Sequence, residues 1–479
     1  MRLSEVLLAK KLVTANDVNR AMARQRDNGG PLAEHLLALN TVSGSELDAV
    51  LKQLPMAPTS VARTGLRLEF LLTIVAKSIR GLNINTVGDL RDALKLPASI
   101  IESLLREAVL RRLLEETGAA STDRHATSRY QLTQSGRIFA DKAFDHNQYL
   151  GPAPVSLRTY QDQVTKQSIR NEHVGPSQVA AAFADLVVPD DRLRQLGPAL
   201  NSGQSLLLYG PPGNGKTTFA ERIGRAFEGV IFIPYCIEVG GEIIRVFDPS
   251  LHEAVEMDAA DDDRILVRPE EIDARWVVCR RPFVVTGGEL TLEMLDLSFN
   301  TISKFYEMPL HLKAQGGTFV VDDFGRQLAR PDDLLNRWIV PLEKGFDYLK
   351  LHTGKAFQVP FDQLTIFSTN MTPNDLMDPA FLRRIPYKVE VGGPTVAEFR
   401  EIFGRVCDDR KIAWDDDIID MVLDRLDSIP GHNLACYQAK FLVDQVLAAS
   451  RYANQEPCIN SDFMADAITN LYAQTAVSP

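Results

Sequence analysis

A chain of 479 residues, 45% hydrophobic and 24% charged, has the make-up of a folded protein of about three domains. No run of about 18 apolar residues and no N-terminal signal-peptide pattern is present, and five cysteines without a CxxC spacing point to a reducing, cytoplasmic setting and away from zinc or disulfides. The net charge of −11 is uneven: residues 1–150 carry 20 Lys/Arg against 16 Asp/Glu, a net +4, and the remaining −15 counts against a nucleic-acid-binding body.

The front of the chain repeats itself. Leu3–Gln25 aligns with Leu32–Leu54 at an offset of 29 residues. Each unit reads as two short helices, with Thr14 or Ser43 capping the second and Asp17 or Glu46 at its third position, as in a capping box. This tandem, assigned to residues 1–58, resembles the N-terminal domain of type II secretion and type IV pilus assembly ATPases. Some relatives bind cyclic di-GMP there through an Arg-Leu-Gly start and an internal Gly. Here Arg2-Leu3 is kept, but Ser4 and Lys11 replace both glycines, and Pro31, Ala33 and Asn40 replace their counterparts in the second unit. That departure counts against the dinucleotide and favours a helical module that docks protein.

Residues 66–146 read as a winged helix. Helices are expected over Leu68–Ile79, Thr86–Leu94 and Ser99–Arg112, short strands over Leu113–Glu116 and Arg129–Leu132, and a closing helix over Ser135–His146. The third helix carries Arg106, Arg111 and Arg112 but also Glu102 and Glu107, a mixture that favours protein contact or spacing over nucleic-acid reading. Residues 147–173 are read as a linker, Pro/Gly-rich at Tyr149–Ser156, followed by a polar helical stretch.

The most informative stretch is Gly210-Pro211-Pro212-Gly213-Asn214-Gly215-Lys216-Thr217-Thr218, directly after the apolar run Ser205–Tyr209. It has P-loop spacing. The glycines let backbone N–H groups turn toward phosphate, Lys216 reaches the β/γ-phosphates of ATP, and the Thr217 hydroxyl is a ligand for Mg2+. A helix starting near Lys216 aims its positive end at the anion.

Downstream, Thr318–Val321 is a buried β-run ending in Asp322 and Asp323. It looks like a Walker B motif, with Asp322 on Mg2+ and Asp323 where the resemblance would place a Glu that activates water. Leu364–Thr369 is a second apolar strand followed by Asn370, the place of the sensor 1 amide. Between them, Tyr348–Pro360 predicts a β-hairpin turning at Thr353-Gly354. From Thr395 the pattern turns helical. This combination resembles the AAA+ ATPases, and the hairpin resembles their presensor-1, MoxR-like group. The resemblance covers about residues 174–475 and implies an α/β nucleotide-binding domain at 174–391 with a helical lid at 392–479.

That resemblance carries further expectations. Arg383 and Arg384 of Asp378–Arg384 stand at the distance of arginine fingers, which act on a neighbouring subunit and imply a homo-oligomeric ring, a hexamer in most such proteins. Sensor 2 is degenerate, with Lys440 or Arg425 as substitutes. Adenine is assigned to Val187 and Val188. The second sheet strand is assigned to Val230–Ile233, and the next 57 residues, Pro234–Leu290, read as a β-rich insertion around the acidic turn Asp258–Asp263, with Tyr235 as the nearest pore-loop aromatic. The fold class expected is thus α/β: a P-loop NTPase core and helical lid, preceded by an all-α repeat and a winged helix. The activity implied is ATP hydrolysis coupled to remodelling of a protein partner, in secretion, pilus assembly or trafficking. The alternatives are a slowly hydrolysing switch or scaffold, motivated by Asp323, and a regulator acting on DNA through the winged helix.

Overall fold

The computed structural model describes residues 3–10, 12–29, 32–117, 128–255, 272–376, 379–429, 432–456 and 458–472. Arg2, Lys11, Pro31, the polar wing at 118–127, the acidic turn Asp258–Asp263 with the run after it, and Asp378 lie outside them.

At the centre is a five-stranded, all-parallel sheet. Its strands in chain order are β1 (Leu206–Tyr209), β2 (Phe283–Thr286), β3 (Thr318–Val321), β4 (Leu364–Thr369) and β5 (Tyr387–Glu390), and their spatial order is 5-1-4-3-2. A parallel sheet covered on both faces calls for unbroken apolar runs. That is what β1, β3 and β4 supply, with Leu206–Leu208, Thr318–Val321 and Leu364–Thr369 all buried. The register aligns Tyr209 with Thr369 and Glu390, and Val321 with Phe367 and Thr286. Whatever follows each strand is therefore delivered to one edge of the sheet.

The second strand differs from expectation. Val230–Pro234 does not join this sheet; it pairs antiparallel with Trp276–Arg280, and Phe283–Thr286 takes the place beside β3. Both are short apolar runs, and periodicity alone does not distinguish a core parallel strand from a buried antiparallel one. The second strand therefore lies inside the span Pro234–Leu290 expected to be an insertion. Tyr235 is bound into it: its N–H donates to the Arg275 carbonyl at 3.1 Å, and its ring meets Phe247 edge-on at 5.6 Å.

The front tandem forms four helices, Leu3–Ala9, Ala15–Asn28, Leu32–Ala38 and Gly44–Gln53. Thr14 and Ser43 are their N-caps, each in a reciprocal capping box with Asp17 and Glu46. Val6, Leu7, Leu47 and Val50 join the same apolar cluster as Trp276 and Phe319, so this unit shares a core with the body. Next come helices Leu68–Leu82, Val87–Leu94 and Ala98–Leu110, the antiparallel pair Leu114–Thr117 and Arg129–Leu132, and helix Gln134–His146, around a separate apolar cluster. Arg111 and Arg112 follow the third helix instead of lying on it, and Arg111 is bonded to Glu69 and Glu107.

The linker is packed. Ala153 and Val155 are buried, and Val155–Ser156 pairs with Ile237–Glu238 at the edge of a second five-stranded sheet. That sheet also holds Glu242–Arg245, Phe305–Glu307 and Ser298–Asn300. The expected hairpin is present, Phe346–Lys350 against Ala356–Pro360, with Gly354 at φ +89° in its turn. Helices Val396–Arg410, Asp416–Asp427, Cys436–Tyr452 and Ser461–Tyr472 close around their own core, which includes Phe399, Phe403, Leu442 and Met464.

Candidate nucleotide site

Three strand ends converge to build the site. The P-loop follows β1, Asp322 follows β3, and Asn370 follows β4. In open α/β sheets this carboxyl edge is where ligands bind. The loop backbone turns left-handed at Gly213 (φ +82°) and Gly215 (φ +77°). A Cβ at Gly213 would meet Tyr437 Cδ1 at 2.3 Å, and one at Gly210 would meet the Val391 carbonyl oxygen at 2.5 Å. Side chains are excluded there by sterics as well as by conformation. Lys216, Thr217 and Thr218 then open the helix Lys216–Arg225, whose first N–H groups have no intrahelical partner.

The side chains form a hydrogen-bonded chain and, beside it, a separate pair. Lys216 Nζ donates to Asn370 Oδ1 at 2.6 Å and to the carbonyls of Gly210 and Pro211 at 3.0 Å each. Asn370 Nδ2 donates to Asp323 Oδ1 at 3.2 Å, which fixes the orientation of its amide. Thr217 Oγ1 donates to Asp322 Oδ2 at 2.5 Å. Burial lowers the Lys216 pKa, and the charges of Asp322 and Asp323 oppose that shift. Thr217 and Asp322 thus offer two hard oxygen ligands at contact distance, the donor set Mg2+ takes alongside phosphate oxygens.

Asp323 has φ +47°. Asp and Asn enter this left-handed region several-fold more readily than other non-glycine residues, and a longer Glu side chain gains no such local support. The Asp in place of the expected Glu therefore suits the backbone that carries it. The turn is held by a residue sequence reasoning missed. Gln327 Nε2 donates to the carbonyls of Asp322 (2.9 Å) and Asp323 (3.2 Å), and its Oε1 accepts the Gly325 N–H (2.8 Å). A Gln five residues beyond an acidic strand end gives no motif to find it by.

The other expected residues lie elsewhere. Ser205, just before β1, donates to the Arg384 carbonyl at 2.9 Å, so the Arg383/Arg384 pair sits at the opposite end of the sheet from the P-loop. Five residues of extended chain, roughly 17 Å, separate the two ends. Arg383 is exposed, whereas Arg384 Nε is bound to Glu343 Oε1 at 2.6 Å. Lys440 pairs with Asp444 at 2.7 Å and Arg425 donates to Ser461 Oγ at 3.0 Å, so both are engaged within the C-terminal helical unit. Val187 and Val188 are half-buried in the connection between helices Pro176–Ala182 and Asp190–Ser202, with Val188 against the apolar cluster that contains Leu206 and Ile366.

The family described as a domain of unknown function, DUF8689, matches residues 395–470, which hold the helices Val396–Arg410, Asp416–Asp427 and Cys436–Tyr452 and most of Ser461–Tyr472. No curated protein matches the chain. Among solved structures, the Thermotoga maritima RuvB Holliday junction branch migration motor is similar at 16% identity over 66% of this chain and 72% of its own, with a TM-score of 0.31. NtrX from Brucella abortus is similar at 15% identity over 59% of this chain and 55% of its own, with a TM-score of 0.37. No helix among the described residues is long and apolar enough to cross a membrane.

Proposed function

We propose that this chain is an AAA+ ATPase that binds ATP with Mg2+ and hydrolyses it to remodel a protein partner or complex. The observation that carries the reading is the continuous chain Asp323–Asn370–Lys216, beside the Thr217–Asp322 pair, at the carboxyl edge of a 5-1-4-3-2 sheet. In this reading the P-loop N–H groups and Lys216 hold the phosphates, and Mg2+, held by Thr217 and Asp322, neutralises charge on them. Asp323 accepts a proton from the attacking water while Asn370 fixes the carboxylate's orientation.

Arg383 and Arg384, at the far end of the sheet, are then supplied to a neighbour's site, which makes the active form a homo-oligomeric ring, a hexamer in our proposal. The hairpin Phe346–Pro360 supports the MoxR-like, presensor-1 subgroup. The front helices and residues 66–146 are proposed as protein-docking modules, with a role in secretion, pilus assembly or trafficking on the cytoplasmic side. The paired Arg111 supports protein contact over DNA for residues 66–146. A slow nucleotide switch is the second reading, favoured by the shorter carboxylate at position 323.

The test is steady-state ATP hydrolysis by the full chain against Lys216→Ala. Loss of the Lys216 ammonium is expected to lower turnover at least about 100-fold, the scale of losing one charge-stabilising group. Turnover equal in the two proteins would reject the enzyme reading.

A further inference from the structure

The lid helix Cys436–Tyr452 has no side-chain acceptor of its own for its first two N–H groups; its Gln438 Oε1 accepts only the Ala435 N–H, at 3.0 Å. Its N-cap is Ala435, in extended conformation (φ −137°, ψ 143°), and a methyl group accepts nothing. The acceptors come from the P-loop, more than 200 residues earlier. The Cys436 N–H donates to Asn214 Oδ1 at 3.1 Å, and the Tyr437 N–H donates to the Gly213 carbonyl at 2.9 Å. The Tyr437 ring lies against Gly213. Asn214 is buried, and its amide also donates back to the Pro211 carbonyl at 3.4 Å. The first N–H groups of a helix need acceptors, and here the nucleotide-binding loop supplies two of them.

Resting on the ATP-site reading, we propose that Asn214 is a positioning residue that couples the lid to the phosphates, in place of the lid arginine this chain lacks at that spot. A 17-residue helix is a rigid rod of roughly 25 Å. Its first turn is fastened to a loop whose neighbouring N–H groups are the ones that bind phosphate. Any change in the direction of the Gly213 carbonyl or the Asn214 amide is felt by the whole rod. Reciprocally, a lid held at its first turn keeps the loop in phosphate-binding shape and slows release of nucleotide. The N–H groups of Cys436 and Tyr437 have these acceptors only while the loop has its shape.

The coupling is removable from either side. Asn214→Ala deletes the acceptor. Cys436→Pro removes the donor N–H, together with a half-buried thiol, without disturbing the backbone, because Pro is accommodated at the first helical position and the preceding residue is already extended. The measurement is stopped-flow dissociation of a fluorescent ATP analogue from the full chain, together with hydrogen exchange across the lid helix with and without ATP. Each single variant is expected to release nucleotide about tenfold faster, with association within about twofold. The double variant should be no faster than either single one, since both remove the same bond. ATP should slow exchange in the first turn of the lid helix in the unchanged chain but not in the variants. Additive effects, or release within twofold of the unchanged chain with the exchange response intact, would overturn the coupling while leaving the ATP site standing. Lys216-independent binding of the analogue would instead overturn the site reading, and the coupling with it.

Discussion

Asp323→Asn isolates the proton-accepting step from everything else the site does. Asn is the residue best suited to the φ of +47° at this position, so the backbone cost is held to a few tenths of a kcal/mol. The amide oxygen can keep the bond from Asn370 Nδ2, and the contacts of Lys216 with Asn370, Gly210 and Pro211 do not involve Asp323. ATP affinity is therefore expected to stay the same or tighten slightly, because one negative charge is withdrawn from the neighbourhood of the phosphates. Turnover should fall about 100- to 10,000-fold, the range of a lost general base, or about 3–5 kcal/mol of barrier. Asp323→Ala is a poorer choice, because an ordinary side chain in the left-handed region costs about 1–2 kcal/mol and mixes strain with chemistry. The assay pairs steady-state phosphate release with equilibrium binding of ATP. Turnover above about a third of the starting value would show that Asp323 is not the base. Loss of binding together with turnover would assign it a structural role in the turn that Gln327 holds.

Two further expectations follow from the same geometry. Mixing Arg383→Ala chains, intact in the P-loop, with Lys216→Ala chains, intact in the arginine, should recover part of the lost ATPase activity, while Arg384→Ala should also lower thermal stability by releasing Glu343; no recovery at any ratio would reject action across subunits. Burial lowers the pKa of both His252 and His311, so below about pH 6.5 the unfolded chain takes up protons the folded one refuses: their stabilisation is present in full above that pH and is lost as pH falls toward the lowered folded values, with a slope of at most about 1.4 kcal/mol per pH unit for each. Thermal melts at pH 7.5 and 5.5 should show a smaller difference in His252→Gln, and an unchanged difference would refute the assignment.

Much of the site was legible because its residues sit at the ends of apolar runs. A buried strand ending in Asp322-Asp323, another ending in Asn370, and a glycine loop after a third are local patterns, and the parallel register brings them together. What stayed hidden depends on pairing between distant segments. Val230–Pro234 and Phe283–Thr286 are equally apolar, and only their partners decide which one stands beside β3. The lid's substitute for an arginine was unreadable for the same reason, since it consists of main-chain N–H groups at 436 and 437 meeting residues 213 and 214. The Pro/Gly-rich stretch at 149–156 has the composition of a tether, yet its strand-forming Val155 finds a sheet edge.

That last point bears on how such a machine would do work. The front modules are fastened on both of their flanks to the turn that leads into Trp276–Arg280. The Asp273 N–H donates to the Pro55 carbonyl at 2.8 Å, and Arg275 Nη1 donates to the Pro154 carbonyl at 2.9 Å. Asp273 and Arg275 are themselves a salt bridge with both side chains 2% exposed. Swinging the front modules away would break both bonds, one of them from a buried guanidinium and worth about 1.5–3 kcal/mol, and would open the apolar core that Val6, Leu7, Leu47 and Val50 share with Trp276 and Phe319. The lid is different: its core is its own, and its polar contacts with the body include the bonds at 213 and 214 and one from Arg405 to the Ala184 carbonyl, worth about 1 kcal/mol each. If the chain hydrolyses ATP as proposed, the step it drives would find its soft joint at the lid and its stiff joint at the front. In this reading the front modules hold the partner still with respect to the sheet, and it is the lid, with whatever neighbour it touches, that moves.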